Sequence, residues 1–198
     1  MVKKHREYVG GDFDNIGRWQ RDYIIDTLGL QTTDSFLDVA CGCLRLGTHL
    51  IPYLDSDNYY GIDSNQDILD AGISDEISAE LLATKSPTLT VNSNFDFGFV
   101  DNNVSLAWAN SLFSHLTLSD AETCLTNLQA VTDRFVFTYF DTDLLKHTKQ
   151  NPDQSHARKD FYYSAEQIQV LAEQTGWSYN KLDTQTHPRK QTIIELTK

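Results

Sequence analysis

The chain has 198 residues, a length that suits one domain with a sizeable core. Lys and Arg number 16 against 28 Asp and Glu, a net charge of −12 that repels phosphate backbones, so neither DNA nor RNA is expected as a partner. Three cysteines are too few for a disulfide framework, and Cys41 and Cys43 without neighbouring His or Cys make a poor zinc site, so no metal is expected. The opening MVKKHREYVGG has no apolar stretch of the signal-peptide kind, and no run approaches the roughly 18 apolar residues of a membrane span. The expectation is a cytoplasmic protein without membrane contact.

Ile16, Gln20, Tyr23, Ile24 and Leu28 recur at helical spacing ahead of Gly29, so a helix is predicted within an N-terminal lid segment over 1–30. FLDV predicts a strand over 36–39 that ends in a small-residue turn over 40–43. Leu46, Leu50 and Leu54 mark one helical face, with Pro52 expected to kink or restart it. YYGI predicts a second strand over 59–62. It ends in Asp63, 21 residues after Gly42, where a ribose-gripping carboxylate belongs in a nucleotide-binding βαβ unit. Ile73, Ile77 and Leu81 predict a helix over 74–84, stopped by Ser86 and Pro87, and a third strand follows over 88–91.

The apolar run over 104–109 reads as a fourth strand buried on both faces. Ser119 and Glu122 have the spacing of a capping box ahead of Ala121, Leu125, Leu128 and Val131. RFVFTYF gives a fifth strand over 134–140. A second box, Ser164 with Gln167, opens a helix that Gly176 closes. The last two strands, over 177–182 and 191–197, are too close in sequence for a parallel crossover and must pair as an antiparallel hairpin. The predicted fold is α/β, a Rossmann-like three-layer sandwich built on a seven-stranded, mostly parallel sheet of order 3-2-1-4-5-7-6 in one domain over 1–198. Residues 141–163 are the least patterned and are expected to form a substrate loop.

A pyrophosphate-binding turn needs G-x-G-x-x-G opening into a helix, and this turn, A-C-G-C-L-R, has one glycine. A looser D-x-G-x-G-x-G pattern fits better, at Asp38, Ala40, Gly42 and Leu44. Ala40 is then expected to keep a negative φ and Leu44 to point away from the ligand. With YVGGDFDNIG, FLDVACGCLRLG, YYGIDSN, ANSLFSHL and HPRKQ in this order, the chain from about residue 8 to 198 resembles the class I S-adenosylmethionine (SAM) methyltransferases, the small bacterial type 11 and 12 group. That resemblance implies methyl transfer from SAM to a small-molecule acceptor such as a sugar or secondary metabolite. The methylation is on O or N and leaves S-adenosylhomocysteine (SAH). A non-catalytic SAM-binding module or scaffold is the alternative.

The resemblance also implies positions. Asp38 and the backbone of Ala40 and Gly42 face the amino-acid portion of SAM, Asp63 accepts from the ribose hydroxyls, Asn94, Phe95 and Asp96 sit beside the adenine, and Asn110 lines the sulfonium end. Four readings of single residues stay open. Asp63 has a helix cap as its rival role, Asp38 a buried structural acid and Asp96 a plain loop acid, and Arg45 is either a surface cation or a carboxylate partner near the methionine end. His115, after the fourth strand, is the candidate general base. Tyr8, Phe13, Phe113, Tyr139, Tyr163 and His187 are the candidate walls of the acceptor pocket, in a monomer or homodimer.

Overall fold

Strands and helices alternate along most of the chain, because short apolar runs punctuated by caps and turns cannot extend into long helices. The computed structural model describes residues 4–146, 150–182 and 187–198, so residues 1–3 of the N-terminal segment and 147–149 of the expected loop lie outside the described residues. The chain divides into two units, Met1–Ser93 with Val104–Leu106, and Asn94–Asn103 with Ala107–Lys198.

The first unit opens with α1 (Lys4–Tyr8) and α2 (Phe13–Asp22), which runs on into a π-helical turn, Tyr23–Thr27, before Gly29 at φ 79° ends it. Then come β1 (Phe36–Val39), α3 (Gly47–Tyr53), β2 (Tyr59–Asp63), α4 (Gln66–Asp75), α5 (Ala79–Lys85) and β3 (Thr88–Val91). The strands are parallel in the order β3-β2-β1, with Asp38 opposite Gly61 and Asp63 opposite Val91. All three therefore deliver their C-terminal ends to one edge, the side on which open α/β sheets bind ligands.

Two local expectations fail here. The helix predicted over 74–84 is two helices. Asn65 Oδ1 accepts from Ile68 N (3.2 Å) and Ser78 Oγ from Leu81 N (3.1 Å), so two side-chain caps override an apolar spacing that runs through the break at Ile77. Pro52 does not restart a helix but sits in the last turn of α3, after which Leu54 is extended.

The second unit takes in β4 (Leu106–Ala109) from Ala107 onward, then α6 (Leu118–Leu128), β5 (Arg134–Asp141), α7 (Thr142–Leu145), β6 (Tyr162–Tyr163), α8 (Ala165–Gln174), β7 (Ser178–Lys181) and β8 (Thr192–Thr197). β4 and β5 are parallel, and the predicted hairpin is present, with β8 antiparallel to both β5 and β7. The short β6 was not predicted. It adds two residues beside the end of β5, Phe140 opposite Tyr162, and makes the strand count eight rather than seven. The cap of α6 is Thr117, whose Oγ1 accepts from Asp120 N at 3.2 Å, not Ser119. The Ser164–Gln167 box is present as expected. Phe113 stacks on Phe137 with ring centroids 4.1 Å apart, and the Trp177 indole N–H donates to Leu125 O at 3.0 Å. Among the described residues no helix is long and apolar enough to cross a membrane.

One close approach sets where α4 lies. A Cβ built on Gly72 would be 2.6 Å from the carbonyl carbon of Cys43, so the helix rests directly on the backbone of the β1 turn. Alanine is ordinarily preferred to glycine inside a helix by about 0.8–1 kcal/mol, whereas overpacking a tight contact costs about 1–3 kcal/mol. The neighbour here is backbone, so the clash should win. Gly72→Ala is expected to lower stability, with the melting temperature falling by about 2–4 °C for each kcal/mol lost. A calorimetric scan showing an unchanged or higher midpoint would mean that α4 is free to lift off the turn.

Candidate functional site

The turn after β1 takes its shape from three alternate residues in the left-handed region: Ala40 at φ 65°, Gly42 at φ 58° and Leu44 at φ 61°. These are the three glycine positions of the D-x-G-x-G-x-G pattern, and two carry side chains. The expectation of a negative φ at Ala40 is thus overturned. A Cβ in this region costs roughly 1–2 kcal/mol. Leu44 offsets that by burying its whole side chain, worth about 1.5–3 kcal/mol, and so points inward as expected. Ala40 is exposed and has no such return. Its flanking bonds hold it: Cys41 N donates to Ile62 O (2.9 Å) and Leu44 N to Cys41 O (3.0 Å).

Asp63, half-buried at the end of β2, locks onto this turn. Its Oδ2 accepts from Gly42 N at 2.8 Å and its Oδ1 from Asn65 N at 2.9 Å. Burial pushes its pKa up, and the N–H groups of Asn65, Gly42 and Ser64 oppose that rise. With about four acceptor sites on the carboxylate and three N–H groups directed at it, acceptor capacity remains for an outside donor. The cap of α4 is Asn65, so the helix-cap reading of Asp63 falls.

Asp38 sits deeper. It is 4% exposed, and its Oδ2 accepts from the Tyr59 hydroxyl at 2.7 Å. Burial pushes its carboxyl up to about 7, with the Tyr59 bond and the Arg45 charge opposing and the Asp63 charge adding. Arg45 is itself buried and gives one N–H to Val9 O at 2.9 Å, so it is not a surface cation.

The N-terminal segment is fastened across the turn. Arg6 grips Glu76, 3% exposed, with two bonds of 2.8 and 2.5 Å, and His5 reaches the same carboxylate at 2.5 Å. Cys43 Sγ lies 3.5 Å from His5 O, and Asn65 Nδ2 donates to Tyr8 OH at 3.3 Å. Gly42 faces this segment, since a Cβ there would stand 2.8 Å from Val9 Cγ1. Phe13 is buried beneath the Arg6 guanidinium, 4.3 Å above its ring.

In the second unit, Asn94 and Asp96 are exposed and Phe95 half-buried at φ 55°, its carbonyl held by Asn127 Nδ2 at 2.9 Å. Asp96 Oδ1 accepts from Gly98 N at 2.9 Å. Asn110 and His187 come together across 77 residues, Oδ1 to Nε2 at 3.0 Å. His115 Nδ1 donates to Lys159 O at 3.0 Å, which leaves the lone pair of the neutral ring on Nε2. Phe113 and Tyr139 are wholly inside the core, and Tyr163 is buried with its hydroxyl on Leu116 O at 2.5 Å. The described part of the 141–163 segment is pinned to the residues after β4, by His156 N to His115 O and Phe161 N to Ser114 O, both 2.9 Å.

Sequence reasoning missed a buried polar cluster here. Gln191 Oε1 accepts from Ser111 Oγ (2.9 Å) and Thr138 Oγ1 (2.6 Å), and Gln191 Nε2 donates to Ser114 Oγ (3.2 Å). Nothing in the spacing of these residues gives the cluster away, although Gln191 lies in the HPRKQ stretch.

No family model matches the sequence. The fold does match solved structures. The magnesium protoporphyrin IX methyltransferase from Synechocystis with bound SAH superposes at a TM-score of 0.70 with 15% identity, over 98% of this chain and 93% of that one. The glycopeptide N-methyltransferase MtfA gives 0.69 at 12% identity, over 91% and 90%. A SAM-dependent methyltransferase from Clostridium acetobutylicum gives 0.61 at 12%, over 94% and 91%. The chain therefore has the fold of the class I SAM-dependent methyltransferases, an α/β Rossmann-like fold with an antiparallel C-terminal hairpin.

The raised carboxyl of Asp38 has a signed consequence for stability. The folded protein holds a proton up to pH about 7 that the unfolded chain releases near about 3.9, so this group's contribution to stability falls as pH rises through that window, by roughly 1.4 kcal/mol per pH unit at most. Asp38→Asn stays neutral and keeps an acceptor for Tyr59. Relative to wild type, the variant should gain stability steadily from pH about 4 to about 7 and level off above. Denaturant melts at several pH values measure the difference, and a pH-independent gap would show that Asp38 is ionised throughout.

Proposed function

We propose that the chain binds SAM and transfers its methyl group to a small-molecule acceptor, leaving SAH. The observation that carries this reading is the coupling of the left-handed turn to the end of β2 through Asp63 and Gly42 N. It places backbone groups and a half-buried carboxylate with spare lone pairs at the ligand-binding edge of a parallel sheet. The fold neighbours support the choice of ligand, since one holds SAH and another is the MtfA complex with SAM. The substitutions at 40 and 44 would argue for a module that has lost catalysis, but both residues keep the left-handed conformation and so do not favour it.

In this reading Asp63 takes the two ribose hydroxyls. The backbone of Ala40 and Gly42, with Arg45 and Asp38 behind it, serves the amino-acid portion, and Asn94, Phe95 and Asp96 serve the adenine. Asp38 acts indirectly, from its buried place behind the turn with one carboxyl oxygen on Tyr59. The methyl group of a sulfonium is already activated, so holding acceptor, methyl and sulfur in line supplies much of the barrier reduction, on the order of 7–11 kcal/mol. His115, with Nε2 as its basic atom, takes the proton of an acceptor that must lose one. The net charge of −12 favours a small molecule over a nucleic acid as partner.

A thermal-shift screen with SAM, SAH, NAD and NADP tests the reading. A ligand at 100 times its dissociation constant stabilises by about 2.7 kcal/mol, so SAM and SAH should each raise the midpoint by about 5–10 °C and the nicotinamide nucleotides should not. Stabilisation by NAD alone would sink the assignment.

Asp63→Ala should weaken SAM binding in calorimetry by roughly 10² or more, because two hydrogen bonds to a charged group are lost, each worth about 1.5–3 kcal/mol. Asp63→Asn, which keeps an acceptor for Gly42 N, separates ribose binding from turn stability. Wild-type affinity in both variants would remove the ribose role.

His115→Ala should lower kcat by roughly 10²–10⁴ for an acceptor that must be deprotonated, with SAM affinity unchanged. Full kcat in that variant would leave positioning alone to explain the reaction.

A further inference from the structure

Asn110 stands just past the C-terminal end of β4, and its Nδ2 is buried without a hydrogen-bond partner among the described residues. A buried donor left unpaired is costly, so such a group calls for an acceptor from outside the protein. Which end of the amide faces His187 is decided on the far side of the imidazole. The backbone N–H groups of Arg189 (3.1 Å) and Gln191 (3.4 Å) both point at His187 Nδ1. An N–H only donates, so Nδ1 must carry a lone pair, and the single proton of the neutral ring sits on Nε2. That proton needs an acceptor 3.0 Å away, so the Asn110 oxygen faces the ring and its NH2 is turned away.

Both residues are held from behind. Lys190 N closes a turn onto His187 O at 2.9 Å. Gln191, next in the chain, is clamped by Ser111 and Thr138, and Ser111 N donates to Thr138 Oγ1 at 2.8 Å. The amide therefore has one orientation, set by a loop.

We propose that His187 is a positioning residue that fixes Asn110 as a hydrogen-bond donor to a ligand oxygen, and that the methyl acceptor is an oxygen nucleophile, a hydroxyl or carboxylate, rather than an amine. This rests on the methyl-transfer reading above. An amine nucleophile has one lone pair, which the methyl group needs, and it would set its own N–H groups against Nδ2–H. An oxygen has lone pairs for both. One accepts from Asn110 while the other forms the O–CH3 bond, the S–CH3 bond breaks, and its electron pair stays on sulfur as the neutral thioether of SAH. A hydroxyl gives its proton to His115 or water, and a carboxylate has none to lose.

The test is NMR on the ¹⁵N-labelled full chain with SAH, using benzoate, phenol and benzylamine as probes. The His187 ring is expected to show the neutral Nε2–H tautomer at neutral pH, and benzoate and phenol, but not benzylamine, should shift the Asn110 side-chain NH2 pair. Asn110→Asp identifies that pair by its loss. It keeps an acceptor for His187 and should hold the wild-type melting temperature, yet lose roughly tenfold or more in benzoate affinity. His187→Phe should leave the NH2 pair present but abolish its response. An Nδ1–H tautomer, an imidazolium, a response to benzylamine, or no response to any probe overturns the proposal, the last meaning that water alone meets Nδ2. SAH binding is read separately by calorimetry. If it is absent, the methyl-transfer reading fails, while the tautomer and the probe shifts still judge the role of His187.

Discussion

The bond from Gly42 N to Asp63 is the contact on which the first unit depends. It joins the left-handed turn after β1 to the end of β2, and with Asn65 N on the other oxygen it makes one carboxylate the hinge pin between a strand, a turn and the start of α4. The turn then accepts two strained residues, and the glycine at 72 lets α4 close on it from outside. Asn65 carries the capping of α4, which leaves the spare lone pairs of Asp63 free for a ligand. Structure and proposed binding use different electrons of the same group.

Two buried acids show how desolvation and hydrogen-bonding partners together decide charge. Asp38 and Asp141 are almost equally buried. Asp38 has a phenol hydroxyl for its main partner and is pushed up to about 7 by burial. For Asp141 burial acts in the same direction, but the Lys181 ammonium at 3.0 Å and the N–H groups of Leu144 and Asp143 outweigh it and hold the carboxyl below its ordinary value. A carboxyl that holds its proton up to about pH 7 next to the turn, and one held below the ordinary carboxylate range at the end of β5, follow from burial and those donors.

Much of the strand framework is legible in the sequence because buried runs between turn residues leave few alternatives. FLDV and the segment 88–91 are strands with the expected limits, and the crowded C-terminal pair forms the hairpin that chain length demands. Caps are less legible. Thr117 and Ser119 present the same chemistry two residues apart, and only packing of the helix chooses between them. The conformation of Ala40 runs against its intrinsic preference, so local sequence points the wrong way and the surrounding bonds decide. Arg45 looks like a solvent-facing cation until the N-terminal carbonyl at Val9 is placed against it. The Asn110–His187 pair is invisible for a simpler reason: no local pattern links residues so far apart in sequence, and each alone is an ordinary polar residue.

The fastening of α1 bears on how such a chain can change over time. Glu76 has shed most of its contact with water, and its carboxylate meets His5 and Arg6 at bonding distance. Replacing both His5 and Arg6 would not merely alter a short helix. It would take the Arg6 guanidinium and the His5 ring away from a largely buried carboxylate, a fault felt throughout the first unit. Drift at position 76 and drift at positions 5 and 6 are thereby tied together, so a neutral replacement at one should open the way to loss of the others, and α1 is under the same restraint as the core.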